Sequence, residues 1–185
     1  MAKTNQLRII GGAWRSRRID FPDQEGLRPS ADRVRETLFN WLGQDLAGLS
    51  CLDLFAGSGA LGFEALSRGA ARVVMVEKSR RVCASLRRNA ELLGAKNLQL
   101  HCADALEFAT AAAADAAARF DVVFLDPPFH SSLLAQALPR LLPLLRPGAR
   151  VYIESVAAFA PSGGWRVLRQ GHAGQVHYTL VSYGD

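Results

Sequence analysis

The stretch from Asp53 to Gly62 carries the strongest chemical signal in the sequence. Gly57, Gly59 and Gly62 form a Gly-x-Gly-x-x-Gly pattern between a short apolar run and a helical stretch. Glycines at these positions permit a tight turn and let a ligand approach the backbone closely. Glu77 ends the next apolar run, 20 residues after Gly57, where a carboxylate can accept both hydroxyl hydrogens of a ribose. The pattern therefore predicts a site for a nucleoside-containing cofactor.

The chemistry of that cofactor is narrowed by Asp53, which precedes Gly57 by four residues and lies at the mouth of the same turn. A dinucleotide would place its anionic pyrophosphate on the glycine turn and the helix N-terminus, where a carboxylate is unfavourable. S-adenosylmethionine has a ribose, an adenine, an α-ammonium group and a sulfonium, and it carries no phosphate. The acid-x-x-x-Gly-x-Gly pattern therefore favours S-adenosylmethionine. Two alternatives stay open here, namely a dinucleotide and a glycine turn that only shapes the backbone.

Asp104 follows the third apolar run, at the start of a helical stretch. Its side chain can cap the helix N-terminus, or it can accept a hydrogen bond from the adenine amino group. The second interpretation is favoured because the other candidate cofactor residues also follow strands. The predicted cofactor-binding residues are Asp53, Phe55, Ala56, Gly57, Ser58, Gly59, Glu77, Lys78, Asp104 and Ala105. The four histidines show no metal-ligand spacing, so no metal site is predicted.

A second motif, Asp126-Pro127-Pro128-Phe129, follows the fourth apolar run. Each proline restricts the residue before it to extended conformations, so the turn is stiff. Asp126 and the Pro127 carbonyl can accept the two N–H hydrogens of an exocyclic amine, and Phe129 can stack on the base that carries it. The motif predicts methyl transfer to that nitrogen, with these four residues as the catalytic group. The alternative is a rigid structural loop with Phe129 in the core.

Short apolar runs that alternate with helical stretches must position these motifs. The runs are residues 51–55, 73–77, 98–102, 122–125 and 151–153. The intervening helices are predicted at residues 60–68, 79–93, 105–113 and 133–145. Repeated strand–helix–strand units form a parallel sheet with helices on both faces.

The two ends of the chain add antiparallel elements. Residues 7–10 and 17–21 predict a basic hairpin, and Ser30 or Asp32 can cap a helix that runs to about Leu42. Residues 165–169 and 176–183 predict a closing hairpin joined across residues 171–174.

The expected fold is therefore a Rossmann-like, doubly wound α/β fold with a mostly parallel seven-stranded sheet. It carries a C-terminal antiparallel hairpin and a small basic N-terminal β-hairpin plus helix. The expected division is a basic appendage over residues 1–27 and a methyltransferase domain over residues 28–185.

The topology of such a sheet brings the two motifs together. In the strand order 3-2-1-4-5, the first and fourth strands are neighbours where the order reverses, and ligands bind outside their carboxyl ends. The glycine turn follows the first strand and the Asp126 motif follows the fourth. The cofactor and the acceptor base are therefore expected to share one crevice.

The composition predicts one soluble domain with a complete core. The chain has 185 residues, of which 49% are hydrophobic and 21% are charged, which excludes the disordered and collagen-like classes. No run approaches the roughly 20 apolar residues of a membrane span, and the N-terminus is too polar for a signal peptide. Cys51, Cys83 and Cys102 are scattered in apolar segments, which predicts buried free thiols and a reducing cytoplasm.

Positive charge is concentrated near the N-terminus. The formal net charge is +5, and five basic residues precede the first acid, Asp20. A basic segment of this kind favours a polyanionic partner, although a solvated basic surface is the alternative for any single arginine.

Several blocks of sequence resemble the RsmD family of bacterial methyltransferases, which modify N2 of a guanine in 16S ribosomal RNA. The blocks are Arg-Ile-Ile-Gly-Gly at residues 8–12, Leu-Arg-Pro-Ser at 27–30, the helix at 32–42 and Leu-Phe-Ala-Gly-Ser-Gly-Ala-Leu-Gly at 54–62. The motif at residues 126–129 and Gly-Gln-Val at 174–176 are also similar. Ser30 departs from a frequent threonine but keeps the hydroxyl. The resemblance covers residues 7–183 apart from an alanine-rich stretch near residues 109–120.

This resemblance implies S-adenosylmethionine as cofactor and one guanine of 16S ribosomal RNA as substrate, within the small subunit or an assembly intermediate. A cytoplasmic monomer is expected. The residues expected to contact RNA phosphates are Arg8, Arg15, Arg17, Arg18, Arg28 and Arg33. Arg28 and Arg33 can instead line the cofactor or base site. A stacked or paired guanine must be extruded to reach Asp126.

Three other functions compete with this interpretation. A DNA adenine or cytosine amino-methyltransferase can use the same Asp-Pro-Pro-Phe loop, but no separate DNA-recognition domain is evident. A non-catalytic RNA-binding assembly factor could retain the fold without the activity. A dinucleotide oxidoreductase would need groups for hydride chemistry, and no such set is evident in the sequence.

Overall fold

The computed structural model describes residues 4–23, 31–115, 117–129 and 131–184. Arg28, predicted to contact RNA, and Ser30, predicted as a helix cap, lie outside the described residues. Within them, the strands are β1 (Thr4–Arg8), β2 (Arg18–Pro22), β3 (Ser50–Asp53), β4 (Arg72–Glu77), β5 (Leu98–Cys102), β6 (Phe120–Leu125), β7 (Leu145–Ser155), β8 (Trp165–Ala173) and β9 (Val176–Tyr183). The α-helices are α1 (Asp32–Leu42), α2 (Ala60–Ser67), α3 (Arg80–Leu93), α4 (Ala105–Ala112) and α5 (Leu133–Leu141).

Seven strands form one sheet in the order β5-β4-β3-β6-β7-β9-β8, and β1 and β2 form a separate antiparallel pair. Strands β3 to β7 run parallel, while β9 pairs antiparallel with both β7 and β8. The predicted fold class and the 3-2-1-4-5 order are confirmed. The first and fourth core strands, β3 and β6, are neighbours, with Asp53 opposite Phe124.

Alternate residues of the parallel strands pack on opposite faces of the sheet. Met75, Phe124 and Tyr152 join the core cluster that includes residues of α1, α2 and α3. Val74, Leu125 and Ile153 join the cluster that includes residues of α4 and α5. This two-sided burial explains why the parallel strands are apolar along their whole length.

The N-terminal hairpin is fastened to α2 by the buried carboxylate of Glu64. This side chain accepts hydrogen bonds from Ile10 N at 2.9 Å, Gly11 N at 2.8 Å and Arg68 Nε at 2.9 Å. Arg35, only 1% exposed, lies 3.5 Å from the same carboxylate and also donates to the Arg8 carbonyl at 2.9 Å. Hairpin, α1 and α2 therefore share one buried network of charges.

Three predicted element boundaries toward the C-terminus are wrong, those of α5, β7 and β8. Strand β7 covers Leu145–Ser155, where only residues 151–153 were predicted. Helix α5 ends at Leu141, four residues earlier than predicted, and a short 3-10 helix at Leu142–Leu144 follows it. Pro143 within this segment has no amide hydrogen to continue the helix. Strand β8 includes Gly171 and extends to Ala173, so the closing turn is limited to residues 174 and 175.

Two further predictions are corrected at α1 and β5. Asp32 does not cap α1; it is the first helical residue, and Ala31 precedes it without a side-chain hydrogen bond. Asp32 pairs instead with Arg35 and Arg8. Cys51 and Cys83 are buried as predicted, but Cys102 is exposed, because it ends the outermost strand of the sheet. No helix among the described residues has the length and apolar character needed to cross a membrane.

Candidate active site at the carboxyl edge of the sheet

The glycine turn between β3 and α2 has the tight geometry that its sequence predicts. Gly57 and Gly59 have φ values of 51° and 81°, in the left-handed region that favours glycine. A Cβ atom on Gly59 would lie 2.6 Å from Leu86 and 2.7 Å from Phe63. Only glycine therefore fits at Gly59, immediately before α2.

Glu77, the last residue of β4, ties this turn to the start of α3. Its Oε2 accepts a hydrogen bond from Gly57 N at 3.1 Å, and its Oε1 accepts one from Ser79 N at 2.7 Å. The carboxylate is thus held rigidly at the carboxyl edge of the sheet. It is half-buried, and a carboxylate has further lone pairs that can accept ribose hydroxyl hydrogens.

Asp53 lies beneath the glycine turn, with only 1% of its surface exposed. Its Oδ2 accepts a hydrogen bond from Gly62 N at 3.0 Å. The pKa of Asp53 is raised to about 7 by burial and, to a smaller extent, by the charge of Glu77, while the hydrogen bond from Gly62 N opposes this shift. A cation bound nearby would favour the ionised form of Asp53.

Asp104 caps the N-terminus of α4, which is one of the two roles that the sequence allows for it. Its Oδ1 accepts hydrogen bonds from Leu106 N at 2.8 Å and Glu107 N at 3.2 Å. This cap places a half-buried carboxylate just after β5, at the same edge of the sheet as Asp53 and Glu77. Its contact with adenine stays a prediction.

The other predicted cofactor-binding residues differ in how far their side chains are exposed to solvent. Ala56, Ser58 and Ala105 are buried, so their side chains shape the turn and the start of α4. Phe55 is half-buried, and Lys78 is exposed beside Glu77.

The Asp126 motif follows β6 directly, at the same edge of the sheet. Asp126 is half-buried, Pro127 is buried and Pro128 is exposed. Phe129 is 42% exposed, so the alternative in which this ring fills the core is wrong. The pKa of Asp126 is raised well above its usual range by burial, then by the charges of Glu154 and Asp53. Because β6 pairs with β3, the two motifs follow neighbouring strands at the same edge of the sheet.

Glu154 and Tyr152 adjoin the site, and sequence analysis did not select them. Glu154 is 4% exposed and Tyr152 is fully buried. The Tyr152 hydroxyl donates to Glu154 Oε1 at 2.9 Å. A signal was available, because Glu154 follows the apolar run at 151–153 in the same way that Asp126 follows the run at 122–125.

The donor set of this crevice favours one kind of cofactor. Asp53, Glu77 and Asp104 offer carboxylate oxygens at the ends of three parallel strands. Such a set suits ribose hydroxyls, an amino group and a cationic sulfonium or ammonium, and it is unfavourable for a pyrophosphate. The residues present therefore fit S-adenosylmethionine better than a dinucleotide. Among the described residues, no group of three or more His, Cys, Asp or Glu side chains is placed to hold a metal ion.

The arginines predicted to contact RNA lie on or beside the N-terminal hairpin, and five of them are described. Arg8, Arg15, Arg17, Arg18 and Arg33 are all exposed. Arg8 pairs with Asp32 at 3.4 Å, and Arg17 donates to the Leu92 carbonyl at 2.7 Å. Arg8 and Arg18 also line a cavity of about 420 Å³ between the hairpin and the start of α1. Their contact with RNA stays a prediction.

Comparison with known proteins points to one family. A family model described as Conserved hypothetical protein 95 matches residues 7–182. The chain is 43% identical over 182 residues to Ribosomal RNA small subunit methyltransferase D of Escherichia coli (strain K12), covering 96% of this chain and 90% of that protein. It is 40% identical over 179 residues to the protein of the same name from Haemophilus influenzae, with coverage of 95% and 93%. The solved structure of yhhF from Escherichia coli superposes with a TM-score of 0.85 at 41% identity, covering 97% of this chain and 99% of that chain.

Proposed function

This chain belongs to the RsmD family, whose family model is described as Conserved hypothetical protein 95, and we propose that it methylates N2 of one guanine in 16S ribosomal RNA. It is a ribosomal RNA small subunit methyltransferase, and its methyl donor is S-adenosylmethionine. The choice of an exocyclic nitrogen rests on one observation. The Asp126 motif follows β6, the strand beside the one that leads into the glycine turn.

The proposed cofactor site uses the three carboxylates at the strand ends. Glu77, fixed by Gly57 N and Ser79 N, accepts from the ribose hydroxyls. Asp53, buried below the turn, stabilises the positive charge of the methionine part, and Asp104 accepts from the adenine amino group. When bound, S-adenosylmethionine supplies a methyl group activated by its sulfonium.

The proposed catalytic group acts mainly by positioning the acceptor amine. Asp126 and the Pro127 carbonyl accept its two N–H hydrogens, which directs the nitrogen lone pair toward the methyl group. Phe129, exposed at the mouth of the crevice, stacks on the base. The raised pKa of Asp126 lets this carboxylate take the proton that the methylated nitrogen releases.

The proposed substrate is 16S ribosomal RNA within the small ribosomal subunit or an assembly intermediate. The exposed arginines of residues 8–18 lie on one hairpin that is fastened to α2, the helix that follows the glycine turn. They contact RNA phosphates, which supplies affinity without choosing the base. We expect the enzyme to act as a cytoplasmic monomer. Residues 1–27 serve as its RNA-binding appendage, and residues 28–185 as its methyltransferase domain.

A methyl-transfer assay with labelled S-adenosylmethionine tests the proposal. The substrates are small subunits from cells lacking the enzyme, purified 16S RNA and duplex DNA. We expect transfer to subunits, and we expect Asp126→Asn to lower kcat about 100- to 1,000-fold, as loss of one transition-state hydrogen bond does elsewhere. Cofactor affinity, measured by calorimetry, should change less than about threefold. Full activity of Asp126→Asn, or transfer to DNA alone, would contradict the proposal.

A further inference from the structure

Glu154 lies beside Asp126 on the same face of the sheet. In the parallel register of β6 and β7, Phe124 is opposite Tyr152 and Leu125 is opposite Ile153. Continuing this register by one residue places Asp126 next to Glu154. Neighbouring strands are about 4.8 Å apart, so the two acidic residues are neighbours at the carboxyl ends of β6 and β7, where Glu154 is 4% exposed.

Tyr152 holds the Glu154 side chain in place. Its hydroxyl donates to Glu154 Oε1 at 2.9 Å from a fully buried position. Burial first, and then the charge of Glu154, raise the pKa of Tyr152, so the phenol remains a donor at physiological pH. This hydrogen bond fixes the orientation of the Glu154 side chain. The crevice therefore offers a second, oriented acceptor beside the catalytic loop.

Bases that carry an exocyclic amine differ in the ring nitrogen beside it. In guanine the 2-amino group lies between two ring nitrogens, N1–H, which is a donor, and N3, which is an acceptor. In adenine and cytosine the only ring nitrogen beside the amine is an acceptor, so N1–H distinguishes guanine from both. A carboxylate at this position therefore matches guanine and opposes the lone pair of the other two bases.

We propose that Glu154 accepts the N1–H hydrogen of the target guanine and so makes the Asp126 loop select guanine over adenine and cytosine. This role rests on the proposed function, because it assumes that Asp126 and Pro127 bind the 2-amino group. Glu154 is then a specificity-determining residue, and Tyr152 is a positioning residue that acts through it. The same loop, without an acceptor at the position of Glu154, would accept other amino bases.

The test removes the hydrogen from N1 of the target base and keeps the 2-amino group. The methylated position is first mapped with the wild-type enzyme, and subunits are then reconstituted with guanine or 2-aminopurine there. 2-Aminopurine keeps the 2-amino group, carries an acceptor at N1 and lacks the 6-oxo group, so the change of preference in the Glu154 variant is needed to assign the effect to N1. We expect wild-type kcat/KM to be at least about 100-fold higher on guanine, as for loss of a hydrogen bond to a charged group.

The Glu154→Gln variant should lose most of this preference, because an amide can donate to the N1 of 2-aminopurine as well as accept from guanine. We expect the guanine to 2-aminopurine ratio to fall to about tenfold or less. Glu91→Gln, which removes an exposed carboxylate from the last turn of α3, is the matched control and should keep the wild-type ratio. Tyr152→Phe should keep most of the preference but lower kcat/KM on guanine severalfold. Melting temperature and cofactor affinity are measured for every variant.

Three outcomes would overturn the inference. The first is a wild-type enzyme that methylates 2-aminopurine as efficiently as guanine, because such an enzyme has no acceptor for N1–H. This measurement uses only the wild-type protein, so it does not depend on whether a variant folds. A Glu154→Gln variant that loses activity equally on both bases shows a structural role only. If the wild-type enzyme does not methylate guanine at all, the proposed function itself fails, which the first measurement shows before any variant is made.

Discussion

Removal of the Glu64 carboxylate should destabilise the whole protein and loosen the hairpin. Glu64 is fully buried and accepts from two backbone amides and Arg68, with Arg35 at 3.5 Å. Removing one partner of a buried ion pair lowers the free energy of unfolding by about 3 to 5 kcal/mol. Each partly buried backbone amide that loses its acceptor adds about 1 kcal/mol to this loss.

Some of this loss is recovered, because the two arginines keep other partners. Arg35 still pairs with Asp32 and donates to the Arg8 carbonyl, and Arg68 still donates to Gln44. We therefore expect Glu64→Ala to lower the free energy of unfolding by about 4 kcal/mol. This is a large part of the roughly 5 to 15 kcal/mol that stabilises a native domain. In a domain of this size a loss of 1 kcal/mol lowers the melting temperature by about 2 to 4 °C, so the melting temperature should fall by roughly 8 to 16 °C.

Urea denaturation followed by circular dichroism measures this change. Glu64→Gln keeps an acceptor oxygen without the charge, so its loss should be roughly half as large. Glu91→Ala removes an exposed glutamate and should change stability by less than about 0.5 kcal/mol. A loss below about 1 kcal/mol for Glu64→Ala, or equal losses for both alanine variants, would refute the reasoning.

Three further predictions concern the turn, the buried acid and the hairpin. A Cβ on Gly62 would lie 2.3 Å from Met75 Cε and 3.2 Å from Asp53 Oδ2. Gly62→Ala should therefore lower the free energy of unfolding by about 1 to 3 kcal/mol and weaken cofactor binding measured by calorimetry; unchanged affinity would contradict this. The folded pKa of Asp53, about 7, exceeds its ordinary 3.8, so the folded state binds more protons between these values. The free energy of unfolding should therefore fall as pH rises from about 4 to about 7 and level off above, and denaturation of Asp53→Asn across pH should lack this part of the slope. Arg15→Ala should reduce the slope of log affinity for RNA against log salt by about 0.7 to 0.9, and an unchanged slope in filter binding would exclude a phosphate contact.

The parts of the site that sequence could predict are local. The left-handed turn at Gly57 and Gly59 depends on residues next to each other in the chain, as does the stiff loop of two prolines after Asp126. The alternation of apolar runs and helices predicted the strand order, because parallel strands joined by helices have few permitted topologies. Strand order then brought the two motifs to neighbouring strands.

Contacts between distant parts of the chain were not predictable in the same way. Arg35 carries a full positive charge, yet it is buried against Glu64, 29 residues away. Nothing in either local sequence shows that pairing. Glu154 follows an apolar run as Asp126 does, but only the register between β6 and β7 makes the two residues neighbours. Cys102 was predicted to be buried from an apolar run that became the edge strand of the sheet.

The identity of the methylated nucleoside tests the central claim most directly. Small subunits from cells lacking the enzyme are methylated by the purified protein, and their 16S RNA is digested to nucleosides for mass spectrometry. The account predicts one new residue of N2-methylguanine per subunit, formed about 100- to 1,000-fold more slowly when Asp126→Asn replaces the wild-type enzyme. Methyladenine, methylcytosine or a guanine methylated on a ring nitrogen would contradict the assignment of the Asp126 loop to the 2-amino group.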